Sequence, residues 1–133
     1  MSTELSNRIK TLDKQQYDVS GNVVTCWFGP KGAGRRHAVR LTEVEAGIRI
    51  EATVATARTL ESIAMYDDPH RWAWRRNKTR HLVGFRVDTQ QRLIAEAVAP
   101  NVALTDEEFV TYVRSVAAEA DRMELVLTGE DSL

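Results

Sequence analysis

Apolar and polar residues repeat along this chain with the two periods of regular secondary structure. A period near 3.6 predicts an amphipathic helix, and strict alternation predicts a strand that buries one face. Helical spacing predicts helices over residues 4–13, 57–66, about 68–78 and 105–125. Alternation, with β-branched and aromatic enrichment, predicts strands over 17–28, 37–44, 46–55, 82–87 and 92–98.

The predicted order is α-β-β-β-α-β-β-α, with residues 57–78 counted as one helical region. We therefore expect a single α+β domain over residues 1–133, built as a mostly antiparallel sheet with helices packed on it. The chain ends in the polar run GEDSL, and residues 127–133 are expected to fray. The stretch 17–28 is either one strand or a strand with an early turn at Gly21-Asn22, and a four-residue loop is expected between the last two strands.

The last helix has the clearest signals. Thr105 and Glu108 have the spacing of a capping box, and Leu104 and Phe109 are placed for a hydrophobic staple around it. Acidic residues in this helix are attributed to favourable charge at its N-terminus and to a solvated face; they are Glu107, Glu108, Glu119 and Asp121. One apolar face is predicted, comprising Phe109, Tyr112, Val113, Val116, Ala117, Ala120 and Met123.

Composition excludes several classes of protein. The chain has 133 residues, 43% hydrophobic and 28% charged, which suits one domain with one core. A net charge of −1 gives no general attraction to nucleic acid or to an anionic membrane. No apolar run approaches the ~20 residues of a membrane span, and no leader-like segment is present, so the expected compartment is the cytoplasm.

Few residues of this chain suggest a catalytic site or a metal site. The single cysteine, Cys26, lies in an apolar strand and is expected to be a small buried hydrophobe. The three histidines lack helical i,i+4 pairing and a cysteine partner, so no metal and no cofactor are expected; they are His37, His70 and His81. Ser20, Ser62 and His70 do not occur in a nucleophile-elbow context, so the chain is not expected to be an enzyme.

The run GPKGAGRR, residues 29–36, suggests a phosphate-binding loop only superficially. Such a loop needs a Lys-Ser or Lys-Thr pair before a helix. Here no such pair follows the glycines, and the run connects two predicted strands. We therefore predict an ordinary hairpin loop.

The segment HRWAWRRNKTRH, residues 70–81, combines two tryptophans with five cations and has no acid. On a helix Trp72 and Arg76 share a face, whereas Trp74 lies about 160° from Arg76. Three interpretations remain open: structural or dimer contact, a surface for a protein partner, and a single-strand nucleic-acid site. The candidate partner-binding residues are Trp72, Trp74, Arg75, Arg76, Lys78 and Arg80.

The second half of the chain resembles the YbjN-like family, whose fold is similar to class I type III secretion chaperones. The resemblance runs from Asn77 to about Glu124, through LVGFRVDTQQRLIAEAVAP and LTDEEFVTYVRSVAAEADRME. It comprises an Asn at a helix end, a strand ending in Asp, a turn, a strand rich in Ala and Glu, and then LT-x-EEF. The family usually has Gly in that turn, where this chain has Thr89-Gln90-Gln91.

The resemblance implies an αβ sandwich-like domain, often homodimeric, that binds other proteins without catalysing a reaction. Some members are described as sensory or motility regulators, and the chaperones of similar fold bind extended segments of their clients. We therefore expect a non-enzymatic, chaperone-like or regulatory protein-binding domain that acts through a protein partner. The alternative is a nucleic-acid-binding module that uses residues 70–81.

Overall fold

A computed structural model describes residues 1–63, 68–77 and 82–128. Within these ranges the chain forms four helices and six strands. The elements are α1 (Thr3–Lys10), β1 (Tyr17–Ser20), β2 (Val23–Phe28), β3 (Arg35–Val44), β4 (Gly47–Ala55), α2 (Ala57–Ser62), α3 (Pro69–Asn77), β5 (Gly84–Val87), β6 (Leu93–Pro100) and α4 (Asp106–Thr128).

The strands described here form one sheet in the order β1-β2-β3-β4-β6-β5, and every neighbouring pair is antiparallel. This confirms the α+β class, the single domain and the element order predicted from the sequence. Of the two alternatives for the run 17–28, the structure has the one with an early turn, since two strands meet at Gly21, whose φ is 61°. The two predicted helical segments are present as α2, which is shorter than predicted and ends at Ser62, and α3.

The core lies between α4 and one face of the sheet, which we call the inner face. Alternate residues of the strands point to it, and α4 packs against β2, β3, β4 and β6. Leu5 and Ile9 of α1 join the same core. The buried side chains of the sheet include Val24, Cys26, Val39, Leu41, Ile48, Ile50, Ala52, Val54, Phe85, Leu93, Ala95, Ala97 and Ala99.

Helix α4 begins as predicted. The Thr105 amide donates to Glu108 Oε1 over 3.0 Å, and the Glu108 amide donates to Thr105 Oγ1 over 3.1 Å. These bonds satisfy backbone donors that the first turn leaves without helical partners. The helix continues to Thr128, so Leu127 and Thr128 are helical, contrary to the predicted frayed tail. The rest of that tail, 129–133, lies outside the described residues.

Two hairpin turns have specific chemistry. Gly47 opens β4 at φ 152°, and a Cβ there would overlap the carbonyl of Ala99 on β6. The β5–β6 connection spans 88–92 rather than the predicted 88–91, because β6 begins at Leu93. Within it Asp88 accepts the amides of Gln90 and Arg92, each over 2.9 Å. These bonds close the turn with Gln91, rather than glycine, at φ 60°.

The α4 packing generates a graded prediction of stability. Phe109 is fully buried, so Phe109→Ala should lower the free energy of unfolding by about 3–5 kcal/mol. Thr105→Ala removes an exposed cap and should cost about 1 kcal/mol. Val110, the half-buried neighbour of Phe109, is a control whose truncation to Ala should cost less than that of Phe109. Urea denaturation would measure all three, and an unchanged midpoint for both Phe109→Ala and Thr105→Ala would contradict this account of α4.

Candidate functional site

Helix α3 carries most of the predicted partner-binding residues, and its start is well determined. The side chain of Asp68 accepts the amide of Arg71 over 3.0 Å, and its carbonyl accepts the amide of Trp72. Pro69 occupies the first helical position, where a missing N–H costs nothing. The Arg71 amide also holds the pKa of Asp68 below its ordinary value, because it stabilises the carboxylate. Of the two predicted caps, Asp68 is confirmed, and Asp67 lies outside the described residues.

The end of α3 is tied to the edge strand β5 by one side chain. Asn77 Nδ2 donates to the carbonyl of Phe85 over 2.8 Å, and Asn77 Oδ1 accepts the amide of Phe85 over 2.7 Å. The amide group of Asn77 therefore pairs with Phe85 as a neighbouring strand would. The helix is thus attached at a fixed position beside the sheet.

The two tryptophans of α3 have different environments. Trp72 is half-buried, and its ring meets the edge of Phe85 with centroids 5.3 Å apart and an interplanar angle of 77°. The guanidinium of Arg76 lies 5.5 Å from the centre of the Trp72 ring, which is the geometry of a cation–π contact. Trp74 points away and is 59% exposed. The predicted division of the two rings between opposite helix faces is confirmed.

The six candidate residues therefore do not all share one surface. Trp74 and Arg75 are exposed together on α3, whereas Trp72 and Arg76 form a packed pair against β5. Lys78 and Arg80 lie outside the described residues. We use the name α3 ridge for the exposed pair Trp74 and Arg75.

The residues considered for catalysis are not brought together. Ser20 lies on β1 and His70 on α3, which packs on β5, so they lie at opposite edges of the sheet. Ser62 ends α2, where its hydroxyl donates to the carbonyl of Thr59. The glycine-rich run joins β2 to β3 as predicted, and its Lys31 lies 2.7 Å from the carboxylate of Asp18.

A second group of polar residues, which the sequence did not predict, lies between the sheet and α4. His37 of β3 and two acids of α4, Asp121 and Glu124, are each 1% exposed. One ligand-type atom from each lies within 4.8 Å of the others. We call these three residues the buried polar cluster. Asp121 was assigned to a solvated helix face, and that assignment is wrong because Asp121 lies on the stripe that faces the sheet.

The orientation of His37 follows from its hydrogen bond. Nε2 lies 2.8 Å from the carbonyl oxygen of Thr53, which can only accept, so Nε2 carries the hydrogen. Nδ1 then faces Asp121, with 3.8 Å between Nδ1 and Oδ1. The other oxygen of Asp121, Oδ2, lies 3.4 Å from Arg35 Nη2 at the start of β3. The ring is therefore held by the sheet and directed at the helix.

Two signals in the sequence pointed to the buried polar cluster. His37 has the same parity as Val39 and Leu41 in an alternating strand, so it must face the core. Asp121 and Glu124 follow the buried residues Ala117 and Ala120 by one helical turn. A prediction that considers the histidines only with one another and with cysteine misses carboxylate partners on a distant helix.

Cys26 is fully buried on β2, as predicted. Burial in apolar surroundings disfavours the thiolate and raises the pKa of the Cys26 thiol to about 12. A nucleophilic role needs a thiolate near neutral pH, which this environment opposes.

Comparisons with protein-family models, curated proteins and solved structures found no match to this chain. In the part of the chain that the structure describes, none of the helices has both the length and the apolar character needed to cross a membrane.

The environment of Cys26 predicts a slow thiol. In the folded protein a thiol-specific disulfide reagent at mildly alkaline pH should react with Cys26 far more slowly than in concentrated guanidinium chloride, because the raised pKa and the burial both remove accessible thiolate. Absorbance of the released thiolate would give both rates. Equal rates under native and denaturing conditions would contradict the burial of this side chain.

Proposed function

We propose that this protein is a non-enzymatic, chaperone-like or regulatory protein-binding domain that acts through a protein partner. The proposal carries forward the resemblance to the YbjN-like family, with its secretion-chaperone-like fold. The binding surface we propose is the α3 ridge. The cytoplasm is the proposed compartment, and the free, buried Cys26 suits a reducing environment.

The observation that carries the proposal is the exposure of Trp74. A tryptophan that is 59% exposed, on a helix fixed by Asn77 and by the packing of Trp72, is held out to solvent by a rigid support. Trp and Arg are the side chains most often found at the energetic centre of protein interfaces. A rigid support lowers the entropy lost on binding, which favours a preformed docking surface.

A nucleic acid fits the same surface less well than a protein partner does. Single-strand sites combine cations with several aromatic rings on which successive bases stack. On the described part of α3 one tryptophan ring is exposed, while the other is packed against Phe85. The net charge of −1 also adds no attraction to phosphate. A protein partner therefore fits this surface better than a nucleic acid.

A homodimer is part of the proposal. Trp27 and Trp72 are packed within the protomer, the first under Arg36 and the second against Phe85. Trp74 is 59% exposed, more than either of the other two tryptophans, and the resemblance implies that a second copy of the chain is often present. Whether the α3 ridge meets the second copy or the client is decided by the experiments below.

The proposed surface predicts which substitutions weaken binding of a protein partner. A candidate partner captured from native cells and then purified should bind the Trp74→Ala and Arg75→Glu variants at least about 30-fold more weakly than the parent protein, because the loss of a hot-spot side chain costs about 2 kcal/mol or more. The matched control is Val126→Ala, since Val126 is an apolar side chain on α4 that is 60% exposed. Calorimetry would give the affinities.

Equal affinities for Trp74→Ala and Val126→Ala would show that the α3 ridge is not the binding surface. The same variants should be titrated with a labelled single-stranded oligonucleotide at physiological ionic strength. Submicromolar binding that Trp74→Ala abolishes would place the nucleic-acid function first.

The proposed homodimer predicts the mass of the protein in solution. Light scattering at micromolar concentration should give twice the mass of one chain. If the second copy covers the α3 ridge, Trp74→Ala should shift the mass toward the monomer, whereas Val126→Ala should not. A mass of one chain that does not change with concentration would contradict the homodimer.

A further inference from the structure

We propose that the buried polar cluster of His37, Asp121 and Glu124 binds one divalent transition-metal ion, with zinc as the ion that its chemistry fits best. The proposal goes beyond the protein-binding function and does not depend on it. It also departs from the sequence-based expectation that no metal binds.

The spacing of the ligand atoms suits a metal ion after a small contraction. Zinc is held by nitrogen and oxygen ligands at about 2.0–2.1 Å, so two ligands of a tetrahedral site lie about 3.4 Å apart. The distance from His37 Nδ1 to Asp121 Oδ1 is 3.8 Å. Since all three ligand atoms lie within 4.8 Å of one another, each pair needs to close by at most about 1.4 Å to reach that spacing.

The ring of His37 has the orientation of a metal ligand. Metal-binding histidines usually donate their second ring N–H to a carboxylate or a backbone carbonyl, which sets the tautomer and directs the other nitrogen at the ion. Here Nε2 donates to the carbonyl of Thr53, so the lone pair of Nδ1 in the neutral ring is directed toward Asp121. A cation between Nδ1 and the carboxylate would turn this contact between two electron-rich atoms into two coordination bonds.

Charge balance also favours a divalent ion. Two carboxylates that are each 1% exposed carry a large desolvation cost when ionised, unless positive charge lies close by. The charge of one divalent cation cancels that of the two carboxylates beside a neutral imidazole, and the further positive charge of Arg35 is on a side chain that is 54% exposed to water. Arg35 contacts the second oxygen of Asp121, which keeps the first oxygen directed at His37. The residues therefore supply both ligands and an outer contact that orients them.

The position of the site indicates a structural role. His37 belongs to the third strand of the six-stranded sheet, and Asp121 and Glu124 belong to the C-terminal half of α4. An ion held by all three would link that half of the helix to the sheet. The three side chains leave one position of a tetrahedral site, which a water molecule would fill. Because all three ligands are 1% exposed, the ion would be enclosed, and its binding energy would add to folding stability.

The alternative to a metal site is a purely ionic cluster, in which a protonated His37 and Arg35 neutralise the two acids. The two possibilities differ in what binds. A metal site takes up one equivalent of zinc and releases a proton where a ligand was protonated, whereas an ionic cluster takes up none.

The test uses the untagged full chain after removal of metal with a chelator. Calorimetry with zinc chloride should show one ion bound per chain with submicromolar affinity, and the thermal midpoint should rise with zinc concentration. Cobalt should give the visible absorption of a four-coordinate site. Nitrogen-15 spectra of the histidine rings should show the zinc-induced shift at Nδ1 of His37, while Nε2 stays protonated. These measurements need no variant.

Variants locate the ligands. Asp121→Asn, Glu124→Gln and His37→Gln keep side-chain size roughly constant and should each weaken zinc binding by more than about 100-fold, beyond the range found for outer-shell changes. The matched controls are Glu119→Gln, an acid of the same helix outside the cluster, and His70→Gln, an exposed histidine. Both controls should bind zinc as the parent does.

The absence of stoichiometric zinc binding in the folded parent would overturn the proposal and leave the ionic cluster. Binding that survives the three ligand variants, or that His70→Gln abolishes, would overturn it by placing the ion on the surface. If a ligand variant fails to fold, the histidine spectra of the parent still decide between Nδ1 of His37 and another histidine.

Discussion

The burial of one stripe of α4 against the inner face of the sheet is the interaction on which the rest of the structure depends. The helix contacts β2, β3, β4 and β6, and so it covers strands from both halves of the chain. Each fully buried Phe, Val or Met on the stripe contributes about 1.5–3 kcal/mol relative to exposure. Because β4 and β6 are not consecutive in sequence, their pairing relies on this shared cover as well as on backbone hydrogen bonds.

The features that local chemistry controls could be predicted from the sequence. Alternation placed Ile48 and Ile50 on the inner face, and the Thr105–Glu108 spacing located the start of α4 within one residue. Strand order could not be read in the same way, because it depends on contacts between segments far apart in the chain. The turn at Gln91 shows a further limit, since Asp88 closes it without the glycine that turn chemistry favours.

The two candidate sites also differ in how far the sequence could predict them. The separation of Trp72 and Trp74 follows from helical geometry alone, so sequence reasoning found it. The buried polar cluster combines a strand residue with two residues of a helix more than eighty positions later, and acidic residues are expected in water unless something pairs with them. The position of His37 in an alternating strand and the helical spacing of Asp121 and Glu124 indicate that all three are buried. Only the tertiary structure shows that the strand and the helix meet.

The contact between Asn77 and β5 has a consequence for how the sheet can grow. An edge strand offers unpaired amides and carbonyls to any extended chain, which is a route to uncontrolled association. Phe85 is a residue whose backbone groups point outward from that edge, and Asn77 already occupies both of them. An incoming strand would have to displace the end of α3 before it could pair there. One amide side chain thus occupies the β5 edge at Phe85, so that strand-by-strand extension there must compete with an intramolecular contact.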